Sequence, residues 1–164
     1  MSWYSLLKFL HVAVVIVGVG GVFARQLLRK HAKRMNDVTS LATFSQAAGR
    51  IEKAFVIPGT SAIVVLGIIL GLIGGSPMLG FLQGASQNWL LVSNILLISI
   101  LVVIPPVLVP RGKIFEPVLQ AAVLQGQITP DLRSALNDQA VNLAHLYELV
   151  AISVIVALMV LKPF

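Results

Sequence analysis

The sequence contains no cysteine among its 164 residues. That absence excludes disulfide frameworks, thiolate metal sites, iron–sulfur clusters and cysteine nucleophiles. Charge is scarce as well, since 11% of the residues are Asp, Glu, Lys or Arg and 57% are hydrophobic. A soluble domain carries about 25% charged residues to cover its surface. A chain with so little charge would expose large apolar patches in water, so we expect it to lie in a lipid bilayer.

Acidic residues are the scarcest charged group, with six in the whole chain. The sequence shows no Ser/His/Asp constellation, HExxH motif, Walker loop or paired-carboxylate site. We therefore predict no catalytic residues and no metal-binding motif, and a non-enzymatic protein is the favoured interpretation. The net charge of +6 does not indicate a nucleic-acid partner, because the basic residues flank apolar segments and form no face with interleaved aromatics.

Four apolar segments are each long enough to cross about 30 Å of hydrocarbon, which takes roughly 20 helical residues. No charged residue occurs from 54 to 110, so the second and third segments are joined by a short neutral turn. The pattern predicts an all-α fold, an integral membrane four-helix bundle that forms a single domain over residues 1–164. The predicted spans are 3–24, 54–75, 88–110 and 140–161.

Orientation follows from the distribution of Lys and Arg. The loop between the first two spans holds seven of the 12 basic residues, the loop between the last two holds three, and the neutral turn holds none. The positive-inside rule then places both basic loops in the cytoplasm. Because positive charge follows the first span, that span is a membrane anchor and not a signal peptide. We expect a multi-pass protein of the bacterial inner membrane with its N- and C-termini outside.

The basic loops carry helical patterns of their own. An apolar stripe at helical spacing leads into the second span, and Asp37 or Thr39 stands where a cap would begin that helix. Thr129-Pro130-Asp131 resembles an N-cap followed by a proline at the first helical position. We predict short cytoplasmic amphipathic helices, either on the membrane surface or packed beneath the bundle. The stripe consists of Leu41, Phe44, Ala48, Ile51 and Phe55.

Ionisable residues inside lipid are functional candidates by default. His11 lies within the first span, and His145 and Glu148 lie in the first turns of the fourth. A rise of ~1.5 Å per residue places His11 and His145 roughly 10 Å apart in depth, which disfavours one haem held by both as axial ligands. The same arithmetic places Glu148 near His11. A His11–Glu148 pair would serve as a proton relay, a metal site or a packing contact.

Other features have a structural and a functional interpretation. The basic segment after the first span is expected to bind anionic lipid headgroups or simply to set orientation. Gly18, Gly20 and Gly21, and the Gly67/Gly71 pair, permit close approach of helices. Pro58, Pro105 and Pro106 lie inside predicted spans and are expected to kink them. The basic segment comprises Arg25, Arg29, Lys30, Lys33 and Arg34.

Several motifs resemble a known group of sequences. Residues 8–12 with the Gly20-Gly21 pair, together with the ending at 144–148 and 158–163, resemble an uncharacterised domain-of-unknown-function family of small bacterial predicted integral membrane proteins. The resemblance also includes 110–112 and 129–133. A more distant similarity is to copper-resistance protein D and the J-type protoporphyrinogen oxidase. That similarity implies haem or porphyrin handling at His11.

Three functions remain open on this basis. The first is a non-catalytic accessory, scaffolding or assembly subunit of a larger membrane complex, with anionic lipids and other membrane subunits or further copies of itself as partners. The second is a haem-, porphyrin- or metal-handling redox protein that uses His11, with haem as the candidate cofactor and His145 as a further candidate ligand. The third is proton or small-ion transport through His11 and Glu148.

Overall fold

The chain folds into helices throughout, in a computed structural model that describes residues 2–164. Within those residues there is no strand. Four stretches are long and apolar enough to cross a membrane, which confirms the predicted all-α membrane bundle. The elements are α1 (Trp3–Arg34), α2 (Val38–Ile51), a π-helical segment (Glu52–Val56), α3 (Ile57–Ile73), a 3-10 helix (Gly80–Gln83), α4 (Trp89–Gln125), α5 (Pro130–Leu136) and α6 (Gln139–Leu161).

Helices α1 and α4 extend well beyond the first and third spans predicted from hydropathy. At ~1.5 Å per residue, the 32 residues of α1 measure about 48 Å, well beyond the ~30 Å hydrocarbon layer. Helix α4, with four internal prolines, continues past the predicted end of the third span at residue 110 as far as Gln125. Each proline removes one backbone donor. Leu119 and Ala122, buried beyond the last of them, pack the final turns against neighbouring helices.

Helices α2 and α3 form one continuous rod through the π-helical segment. Pro58 is at the start of α3, where it has no N–H and its ring crowds the carbonyl one turn earlier. Just before it, the Ile57 N–H bonds to the Glu52 carbonyl, five residues back, in the wider spacing of a π turn. The irregularity expected at Pro58 therefore takes the form of a π turn, which begins at Glu52.

The predicted caps are present at both short helices. Asp37 is the N-cap of α2 and accepts from the Ser40 N–H at 2.7 Å, and this bond lowers the pKa of the Asp37 carboxyl below its usual range. Thr129 is the N-cap of α5 and accepts from the Leu132 N–H at 3.2 Å, with Pro130 as the first helical residue. These segments pack beneath the bundle instead of lying alone on a surface. Their shared core contains Val38, Leu41, Ala42, Leu119, Ala122, Leu132 and Leu136.

The Thr129 cap gives a local prediction. Thr129→Ala removes the oxygen that receives the Leu132 N–H and should weaken α5 by about 1 kcal/mol, the usual cost of losing such a cap. Hydrogen exchange of the α5 amides should then be roughly five times faster. Thr129→Ser retains the accepting hydroxyl and is the matched control. Equal exchange in the Ala and Ser variants would show that the hydroxyl does not hold the helix.

The spans are arranged as two hairpins. Helix α1 packs against α2 and α3, while α4 packs against α6 around Ile100, Ile104, Ala144 and Ala151. We call the end of the bundle that carries residues 25–53 and 111–139 the basic end, and the opposite end the neutral end. Within residues 2–164, every side-chain hydrogen bond between α1 and α6 lies toward the basic end. The two hairpins are therefore joined by polar contacts at that end.

At the neutral end, the residues that follow α6 contact the start of α4. The Phe164 carbonyl accepts from the N–H groups of Asn88 and Trp89, at 3.0 and 3.1 Å. Those donors stand at the start of α4, where a helix has no internal partners for them. The Lys162 ammonium lies 5.2 Å from the centre of the Trp89 ring, a cation–π contact.

Candidate functional site

A buried arginine occupies the junction of three helical units. Arg25 on α1 is 3% exposed, and its guanidinium donates through Nη1 to Glu52 and through Nη2 to Glu148. Glu52 begins the π-helical segment and Glu148 belongs to α6. A charge without water is costly unless it is paired and hydrogen-bonded, and here one cation is shared by two carboxylates. The planar guanidinium fork can bond both at once.

The contacts continue along α6 from Glu148. His145 Nδ1 lies 3.4 Å from Glu148 Oε2, one helical turn away, and the imidazole is buried. Gln26, next to Arg25, donates through Nε2 to the His145 carbonyl at 3.1 Å. We call Arg25, Glu52, Glu148 and His145 the Arg25 cluster. It holds α1, α6 and the α2–α3 rod at a common height.

The chemistry of the cluster favours a structural role. Among residues 2–164, Glu52 and Glu148 meet only through the Arg25 guanidinium, which has donors and no acceptor and so cannot take a proton from one carboxylate for the other. Glu52 is 31% exposed while Glu148 is 7% exposed, so water reaches one carboxylate far more readily than the other. The arrangement therefore fits a contact that holds helices together better than it fits a proton relay.

His11 lies elsewhere in the bundle. Its imidazole is half-buried on α1, and its Nδ1 is buried without a hydrogen-bond partner among residues 2–164. A Cβ placed at Gly67 would lie 3.4 Å from His11 Cε1, so the ring faces α3. Of the two predicted site histidines, His145 contacts Glu148 through its Nδ1, whereas the Nδ1 of His11 has no hydrogen-bond partner among residues 2–164.

The structure does not bring the predicted intramembrane pair together. Glu148 bonds to Arg25, which is 14 residues and ~21 Å along α1 from His11. His145 lies level with Gln26, so the two histidines are separated by a similar height and do not share one haem iron. The depth arithmetic failed because it started both spans at common membrane planes. In fact α1 extends to Arg34 and Glu148 is level with Arg25, close to the basic end.

The residues of the basic segment fall into three groups by burial. Arg25, which was expected to reach lipid headgroups, has its side chain buried in the cluster, where it bonds to Glu52 and Glu148. Arg29 and Lys33 are half-buried, whereas Lys30 and Arg34 are exposed. Lys33 donates to Asn142 Oδ1 on α6. Headgroup binding by the remaining four residues stays a prediction.

Sequence reasoning missed the Arg25 cluster, although two signals pointed to it. Arg25, Arg29 and Lys33 recur at four-residue spacing and therefore share one face of α1. Glu148, as an acid within a span, required a cationic partner. Neither signal says which basic residue lies at its height. Among the described residues 2–164 there is also no group of three or more His, Asp or Glu side chains arranged to hold a metal ion.

The comparisons with known proteins agree with the membrane fold. The family described as "Predicted integral membrane protein (DUF2269)" matches residues 5–163. No curated protein and no solved structure matches the chain. The more distant similarity to copper-resistance protein D and the J-type protoporphyrinogen oxidase stays a prediction. Since the family match spans nearly the whole sequence, the chain belongs to the DUF2269 family of predicted integral membrane proteins.

Proposed function

We propose that this protein is a non-catalytic membrane component, an accessory, scaffolding or assembly subunit of a larger complex in the bacterial inner membrane. The observation that carries the proposal is the Arg25 cluster. Its guanidinium donates to two carboxylates, and these contacts join three helical units. Ion pairs of this kind stiffen a small bundle, and other helices can pack on a rigid bundle.

The outer faces of the bundle support the same proposal. Large apolar side chains are exposed along the membrane-crossing parts of all four spans, for example Leu72 at 71% on α3, Val102 at 64% on α4 and Ile16 at 67% on α1. In a bilayer these faces contact lipid tails or the apolar faces of other helices. Partner subunits or further copies of the chain can therefore pack on them. The distribution of basic residues supports cytoplasmic placement of the basic end, with both termini outside.

His11 favours a second candidate function, the handling of haem, porphyrin or a metal. A neutral imidazole nitrogen is a common ligand for haem iron. The buried Nδ1 of His11 has no partner within residues 2–164, while His145 is already engaged by Glu148. This chain would therefore supply one ligand from α1, and a second would come from another molecule or from the substrate. The third candidate, transport through a His11–Glu148 pair, loses its geometric basis.

One purification separates the two candidates. The protein is extracted in a mild detergent, its absorption spectrum is recorded, and the chains that travel with it are identified and quantified. We expect stoichiometric membrane partners or a defined homo-oligomer, with no Soret band. A solitary monomer with a Soret band that is lost in His11→Ala and kept in His31→Ala would contradict the accessory role and support the second candidate. His31 is the matched control because it is exposed on the same helix.

A further inference from the structure

Three basic residues share one face of α1 but differ in their partners. Arg25, Arg29 and Lys33 are spaced four residues apart. Arg25 bonds to two carboxylates, and Lys33 bonds to the neutral amide of Asn142. Arg29, between them, is half-buried and makes no hydrogen bond or ion pair with any residue from 2 to 164. A half-desolvated guanidinium without an anion is an unfavourable arrangement.

The neighbouring elements do not supply the missing charge. The groups that face this stripe are Glu52 from the π-helical segment, and Glu148, His145 and Asn142 from α6. Both carboxylates are already bonded to Arg25. Like charges four residues apart on a helix repel each other. Three cations therefore face two carboxylates, and one positive charge remains to be balanced from outside the chain.

The height of Arg29 indicates where that anion comes from. Trp3 begins α1, and 22 residues at ~1.5 Å each place Arg25 about 33 Å away, at the far edge of a ~30 Å hydrocarbon layer. Arg29 lies one turn further, about 6 Å beyond Arg25 and about 39 Å from Trp3. The headgroup layer occupies this depth, because a bilayer measures ~40–45 Å with its headgroups included. Arg29 is thus at the level of the lipid phosphates.

A second donor in the stripe lacks a partner as well. Arg25 Nε is buried and bonds to nothing among residues 2–164, although Arg25 itself is 3% exposed. Buried donors of a charged group are rarely left without an acceptor. Arg25 Nε is enclosed by the protein, however, so it does not itself contact a ligand that binds outside the chain.

We propose that Arg29, assisted by Lys33, binds the phosphate group of one anionic phospholipid at the basic end of α1. A guanidinium can donate two parallel bonds to a phosphate, which gives such a site both strength and geometry. Lys30 and Arg34 are exposed and contribute only diffuse attraction. The inference requires a membrane-inserted chain and does not depend on the accessory role.

The test compares two single-charge removals on adjacent residues. Wild type, Arg29→Gln and the matched control Lys30→Gln are purified in neutral detergent and titrated with phosphatidylglycerol or phosphatidylcholine, and bound lipids are counted by native mass spectrometry. Wild type should retain one phosphatidylglycerol in preference to phosphatidylcholine. Arg29→Gln should weaken that binding about tenfold, the loss expected for a charged hydrogen-bonded contact, while Lys30→Gln should change it less than about twofold. A further titration with inorganic phosphate distinguishes a lipid from a soluble anion.

Each alternative outcome has a defined meaning. Equal losses in Arg29→Gln and Lys30→Gln, or equal retention of the two lipids, would overturn the site in favour of diffuse attraction. Inorganic phosphate that displaces phosphatidylglycerol at similar concentration, in an Arg29-dependent manner, would overturn the lipid as the ligand. Failure to fold is not expected for Arg29→Gln, since it breaks no internal bond and relieves repulsion with Arg25. Thermal unfolding of both variants checks that point.

Discussion

Arg25→Met should destabilise the bundle by about 3–5 kcal/mol, because it removes one partner from a buried ion pair and leaves the other charged. Glu148, with a side chain 7% exposed, would lose the guanidinium that compensates its burial. Glu52 would suffer less, since it is 31% exposed and can be hydrated. Methionine retains most of the arginine's length, so the loss reports charge pairing more than packing.

The measurement is reversible unfolding in mixed micelles, followed by far-UV circular dichroism. Lys30→Met, on an exposed position of the same helix, is the matched control and should change the free energy of unfolding by less than about 0.5 kcal/mol. Adding Glu148→Gln to Arg25→Met should recover part of the loss, because the orphaned charge is then gone. If Arg25→Met and Lys30→Met have the same free energy of unfolding, the cluster is hydrated and does not hold the helices together.

The features that the sequence predicted well are those with a local physical cause. The four spans follow from apolar runs long enough to cross a bilayer, and the caps at Asp37 and Thr129 follow from a side-chain oxygen three residues before a helical N–H. The neutral turn between the second and third spans follows from the absence of charge. Each of these depends on residues that are close together in the sequence.

The candidate site depends instead on which residues of different helices lie at the same depth in the bundle. Arg25 is 27 residues from Glu52 and 123 from Glu148. Hydropathy ended the first span at residue 24 because it treats the next arginine as the start of a loop, and so the most buried cation in the protein was assigned to the surface. His11 was paired with Glu148 for a related reason. A depth counted from the end of each span separately does not tell how far one helix is displaced along its neighbour.

The glycine-rich surfaces were predicted as close contacts, and the structure shows which positions make them. Gly18 on α1 faces Gly59 on α3, where a Cβ added to Gly59 would lie 2.9 Å from the Gly18 Cα. Gly21 similarly approaches Phe55, at 3.1 Å from an added Cβ to the Phe55 Cβ. Gly20, between them in sequence, has nothing within 4 Å of an added Cβ. The α1–α3 contact is therefore backbone against backbone at one point.

Gly59→Val should consequently cost about 3 kcal/mol, at the upper end of what overpacking usually costs, because the clash is with a main-chain atom that no side-chain rotation can relieve. Gly20→Val adds the same side chain to α1 in open space and should stay within about 0.5 kcal/mol of wild type. Both are measured by the same micellar unfolding assay. Equal stability of the two variants would mean that α1 and α3 are further apart than this contact requires. The Arg25 cluster would then hold α1 beside the α2–α3 rod without close packing at the Gly18–Gly59 contact. In that case Arg25→Met should also speed the hydrogen exchange of the α3 amides.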